Sequence, residues 1–156
     1  MKLSNKALIA AVLTFTALTA TAQSAKSQKH ADNVLKMRKA VYSLLGSNMG
    51  PLGGMAKGKI PLNAQVVEKN ALRINQLSMM ISDYLKTDTS KFKLKTEALD
   101  KIWAENEKFA QKIEALTEAS GALHKVANSG DEKAIIKAIG AVGSTCGSCH
   151  DDYKAD

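Results

Sequence analysis

Beyond the first two dozen residues, apolar side chains recur three and four apart in four separate runs, the spacing of one helix face. The first predicted helix covers about residues 31–45, with the stripe Val34, Met37, Val41 and Leu45. The stretch Gly46-Ser47-Asn48-Met49-Gly50-Pro51-Leu52-Gly53-Gly54 follows. Its glycines and proline predict the end of that helix. The second follows Pro61, with Asn63 as its cap and Val67, Ala71, Ile74, Ile81 and Leu85 as its stripe. Residues 87–95 are polar and read as a loop. The third covers about residues 98–126, carrying Leu99, Ile102, Trp103, Phe109, Ile113, Leu116 and Leu123. Ser129 with Glu132 three residues on fits a capping box opening the fourth helix. That helix runs to about Tyr153 on Ile135, Ile139, Val142, Cys146 and Cys149. No run alternates with period two over a strand length. The expected fold is therefore all-α. Four amphipathic helices with mostly short connections predict an antiparallel four-helix bundle, whose interior is where such folds hold cofactors.

The N-terminal residues break this pattern. Lys2 and Lys6 form a positive head, residues 7–20 are uncharged and mostly apolar, and Ala20-Thr21-Ala22 is a small-x-small site. Residues 1–22 are expected to be a cleaved signal peptide, and residues 23–156 a single domain. The apolar run is too short for a membrane anchor, which needs ~20 residues. The expected location is periplasmic, with no anchor after cleavage. Loss of Lys2 and Lys6 leaves 20 basic residues against 15 acidic, a net charge of +5. Only Arg38 and Arg73 among those cations are arginine. Nucleic-acid readers favour arginine for bidentate contacts, so with export a nucleic-acid role is excluded. The positive charge suits encounters with acidic redox partner proteins.

The two cysteines stand in Cys146-Gly147-Ser148-Cys149-His150. Cys-x-x-Cys-His is the attachment signature of a c-type heme. On a helix, residues three and four apart share a face, so both thiols reach one side of a porphyrin and His150 can turn beneath it to the iron. One covalently bound heme c per chain follows, with His150 as the metal ligand. A thioredoxin-like pair would sit at a helix N-terminus after a strand. A zinc site would need about four gathered ligands, and His30 and His124 are scattered. Gly140, Gly143 and Gly147 each cost ~1 kcal/mol against alanine in a helix. Their clustering at the motif predicts room for a flat macrocycle, and a heme-free chain that is only partly folded.

With the motif in the last helix, the chain resembles the cytochromes c prime, the class II c-type cytochromes. Residues 142–154, the pair Ile102-Trp103, and Met37-Arg38-Lys39-Ala40-Val41-Tyr42 carry the resemblance, which covers essentially the whole mature chain. It implies roles by position. Arg38, odd within an apolar stripe, matches the arginine that neutralises a heme propionate. Tyr42 matches the bulky, non-ligating residue on the distal side of the iron. Glu97 falls in a loop that approaches the heme, and Lys154 near the proximal face. Met37 is offset from the family's ligand position and Met49 is read as lying in the following loop.

The resemblance implies a five-coordinate, high-spin heme protein that binds nitric oxide or carbon monoxide and takes part in electron transfer, commonly as a homodimer. The alternative is a six-coordinate, low-spin electron carrier. The protein is not expected to be an enzyme, because a peroxidase needs a distal acid–base group and the first helix has no histidine near Tyr42.

Overall fold

The computed structural model describes residues 22–155. The signal-peptide reading falls almost wholly on residues outside that range. In chain order the elements are β1 (Gln23–Ser24), α1 (Gln28–Ala56), α2 (Ala64–Leu85), β2 (Thr87–Asp88), α3 (Lys101–Ala104), α4 (Asn106–Val126) and α5 (Glu132–Tyr153). The four long helices form the expected bundle. Each packs on two others, α1 and α4 both lying against α2 and α5. The α1–α5 seam is the sparsest of the four.

α1 departs most from expectation. It continues through Gly46, Gly50, Pro51, Gly53 and Gly54 to Ala56. Pro51 removes the N–H that would have bonded Ser47 one turn back. Tertiary burial outweighs this local cost: Val41, Asn48, Leu52 and Met55 continue the buried face with spacings of seven, four and three. The glycines and the proline between Leu45 and Met55 are breakers by local propensity, which is why the sequence predicts an end at Leu45.

α2 starts where expected, with the Asn63 side chain accepting from the Val66 N–H at 3.0 Å. It meets α4 through a polar seam that the apolar pattern did not reveal. Ser78 is fully buried, and its hydroxyl lies 2.7 Å from that of Thr117. Asn75 donates to the Thr117 carbonyl at 2.7 Å. The predicted third helix is broken. α3 is one turn, Glu105 leaves helical geometry, and α4 begins at Asn106. α5 is capped by Asp131, whose carboxylate accepts from the Ala134 N–H at 3.0 Å, not by Ser129. Ser129 instead accepts from Asp131 N–H at 3.2 Å. Between them Gly130 takes φ +76°, a left-handed conformation that glycine adopts without strain.

The core fills the centre of the bundle with Leu52, Val67, Ile74, Leu123, Ile139 and Val142. Leu123 is 0% exposed. Leu123→Ala is expected to cost about 3 kcal/mol, read as a lower urea midpoint at unchanged slope.

Candidate heme site

The motif occupies the last turns of α5, with Cys146 and Cys149 one turn apart. Both thiols are free, half-buried and packed against the core. Burial pushes the Cys146 thiol up, with Thr145 and the backbone pulling it back. Burial likewise pushes Cys149 up, against the pull of Lys112. A disulfide-exchange pair needs depressed thiols at a helix N-terminus. These are raised thiols near a helix C-terminus, so that alternative fails on both counts. Among the described residues, no group of three or more His, Cys, Asp or Glu is gathered for a metal ion. An iron held here needs a macrocycle to supply its other ligands.

Gly140, Gly143, Gly147 and His150 recur three and four apart and so share one stripe of α5. A Cβ at Gly140 or Gly147 would meet nothing within 4 Å. One at Gly143 would meet only Met49 Cε of α1, at 3.7 Å, an ordinary contact. Helix packing therefore does not demand glycine at these positions. The small residues leave an open face that ends at the exposed His150 imidazole, as a flat prosthetic group requires. The residues present fit a covalently held heme.

α1 supplies the facing residues. Arg38 is buried, and its guanidinium is already engaged. Nε donates to the Tyr84 carbonyl at 2.9 Å and Nη1 to Thr89 Oγ1 at 2.8 Å. Nη2 donates to the Thr87 carbonyl. The guanidinium lies 4.7 Å from the Trp103 ring centroid. Tyr84 sits in the last turn of α2, where carbonyls lack helical partners and a cation complements the dipole. The buried arginine is thus satisfied by neutral acceptors, though its position in an apolar stripe suggested an anion. Three of its five N–H groups are used, and two remain for a carboxylate. Burial lowers its pKa, while Tyr42 and Asp88 hold it up.

Tyr42 lies one turn beyond Arg38, close enough for both Arg38 and Cys149 to affect its ionisation. The residue is 43% exposed, yet crowding around its hydroxyl pushes the phenol above its ordinary 10.0. Cys149 raises it further and Arg38 opposes. Between pH 10.0 and the folded value, the unfolded chain has lost this proton while the folded chain keeps it. Unfolding then releases a proton, and stability falls as pH rises. Tyr42→Phe is expected to flatten that alkaline loss in denaturant titrations compared at about pH 9 and about pH 11.

Glu97 sits beside the end of α5. Its carbonyl accepts from Ala155 N–H at 2.7 Å, and its carboxylate pairs with Lys154 at 3.2 Å. The loop therefore closes over the C-terminal end of α5, joining two residues the sequence named separately. Lys112 of α4, which the sequence did not single out, contacts the motif directly. Its ammonium donates to the Ser148 carbonyl at 3.3 Å and to the Ser148 hydroxyl. It also pairs with Asp152 at 2.7 Å, holding that carboxyl below the usual range.

The sequence profile of cytochrome c' matches residues 33–154. This chain belongs to the cytochrome c' family. It is 36% identical over 139 residues to a cytochrome c' of Cereibacter sphaeroides, covering 88% of this chain and 93% of that protein. The solved cytochrome c prime of Shewanella frigidimarina superposes with a TM-score of 0.73 at 33% identity, covering 84% and 98% of the two chains. A nitric oxide complex of a cytochrome c prime variant from Alcaligenes xylosoxidans gives 0.69 at 26% identity, covering 80% and 94%. As a cytochrome c' the protein carries one covalent heme c, and the four-helix bundle is the fold of its relatives.

Proposed function

We propose that this cytochrome c' family member is a periplasmic protein that takes nitric oxide at a five-coordinate, high-spin heme and exchanges electrons with partner proteins. In this reading Cys146 and Cys149 form the two thioethers, and His150 ligates the iron. The two unused N–H groups of Arg38 hold a propionate. Bound heme iron would supply one-electron exchange and a binding position for diatomic ligands. The observation that carries the reading is Tyr42, across the sparse α1–α5 seam from the motif. A phenol there offers neither the sulfur nor the imidazole of a strong sixth ligand, and its raised ionisation keeps it neutral. It crowds the open side and provides one hydrogen-bond donor. The relative solved with nitric oxide supports the choice of ligand, and carbon monoxide belongs to the same class. The positive head and apolar run of residues 2–20 support the location, and cleavage after Ala22 would make Gln23 of β1 the mature N-terminus. Exposed Leu44, Leu72, Met79 and Met80 on α1 and α2 support a homodimer through those helices.

A second reading has a specific contact in its favour. Met49, expected in a loop, is helical and turns its methyl toward the glycine stripe at Gly143. A Met49 sulfur on the iron would give the six-coordinate, low-spin carrier. The ferric and ferrous absorption spectra, with and without nitric oxide, decide between them. Expected are a high-spin ferric spectrum and a new ferrous species with nitric oxide. A low-spin ferric spectrum with a sulfur-to-iron charge-transfer band, lost in Met49→Leu, would establish the second reading instead.

A further inference from the structure

The last turn of α5 presents a positioning problem. The final carbonyls of a helix lack helical partners; here Tyr153 accepts from the Leu99 N–H at 2.9 Å and His150 from the Lys154 N–H at 3.1 Å, which tie the chain end but leave the rotation of the turn that carries His150 to side-chain contacts. Lys112, reaching across from α4, holds the turn at two points. It donates to both the carbonyl and the hydroxyl of Ser148 and pairs with Asp152 at 2.7 Å. Ser148 and Asp152 are four residues apart and share a face. His150 lies between them in sequence, and at about 100° per residue it projects from roughly the opposite side of the helix.

Lys112 is unlike the neighbouring lysines. Its side chain is 28% exposed, whereas Lys108 is 72% exposed with its carboxylate partner 3.8 Å away. An exposed pair of that kind contributes little. An ammonium with three acceptors on one helix face is placed to resist rotation of that helix about its axis. The inner side of the turn is anchored separately, by Tyr153 edge-on to Phe109 and its hydroxyl 3.2 Å from Glu105.

We infer that Lys112 is a positioning residue for the iron ligand: by gripping Ser148 and Asp152 it fixes the rotation of the α5 terminus and thereby the aim of the His150 imidazole. This rests on the reading of His150 as the ligand. Partners outside the ligand set that orient a metal-binding histidine tune the metal bond, and here the orienting contact is made through the helix backbone.

The test is resonance Raman spectroscopy of the ferrous, heme-loaded protein. The wild type is expected to show one sharp iron–imidazole stretching band. In Lys112→Met the band is expected to shift to lower frequency and broaden, since a turn free to rotate samples several imidazole orientations. Lys112→Arg should restore the wild-type band, and Lys108→Met should leave it unchanged. Should Lys112→Met fail to load heme, Ser148→Ala with Asp152→Ala removes two of the three contacts from the other side and should give the same shift. An unchanged band in a heme-loaded Lys112→Met, or in the double variant, overturns the inference while leaving His150 as ligand. In a wild type whose ferrous absorption spectrum is five-coordinate and high-spin, absence of any such band overturns the His150 reading, and this inference with it.

Discussion

Replacing Cys146 and Cys149 together by alanine is expected to abolish covalent heme attachment. The two thiols are the only cysteines in the chain, and both pack toward the core within one turn of α5. In the wild type, heme should remain with the polypeptide through acid–acetone extraction. In the double variant it should pass entirely into the solvent. Single replacements should retain an attached heme at lower yield, with the absorption band of the remaining vinyl group displaced. The heme-free chain should also be less helical. A Cβ at Gly140 or Gly147 would meet no protein atom within 4 Å, and three glycines cost that helix ~1 kcal/mol each relative to alanine. A group that binds only the folded chain stabilises it by mass action. Far-ultraviolet circular dichroism of the double variant that matched the wild type, with an equal melting temperature, would show that the bundle does not depend on the heme.

Arg38→Met is expected to destabilise the protein by about 3 kcal/mol, lowering the melting temperature by about 10 °C. The substitution keeps most of the apolar stem but leaves the Tyr84 and Thr87 carbonyls and the buried Thr89 hydroxyl without their donor. It also removes the cation from the end of α2 and from the face of Trp103. Thermal melts of heme-loaded and heme-free protein separate two parts of the effect. Loss of the contacts to α2 and β2 lowers both melting temperatures. Loss of a propionate partner lowers only the heme-loaded one. A loss confined to the loaded protein would mean that the contacts to Tyr84, Thr87 and Thr89 contribute nothing in the folded chain.

The arginine also shows where a reading from sequence ran short. Its position inside an apolar stripe marked it as buried and in need of partners. The partners themselves lie 46 to 51 residues away, and three of the contacts are to backbone or a hydroxyl with no distinctive sequence signal. Glu97 and Lys154 were each picked out by resemblance, and their pairing emerges only because the 97–99 segment runs beside the end of α5. The misread boundaries have a similar origin. Gly46 to Gly54 is a poor helix by propensity, but the bundle needs Leu52 and Met55 in its core and holds the segment helical. Asp131 displaced Ser129 as cap because Gly130 turns the chain between them.

What the chain states locally was legible: helices from a repeat of three and four, the cap at Asn63, and the attachment signature at Cys146 to His150. Each depends on residues within about one helical turn of one another, so no knowledge of the rest of the molecule is needed. The tertiary structure decided the length of α1, the neutral partners of Arg38, the proximity of Tyr42 to Cys149, and the grip of Lys112 on both sides of His150. Those contacts join residues far apart in the chain, and whether they form depends on the relative rotation and depth of whole helices. The requirement to bury apolar faces against one another sets both.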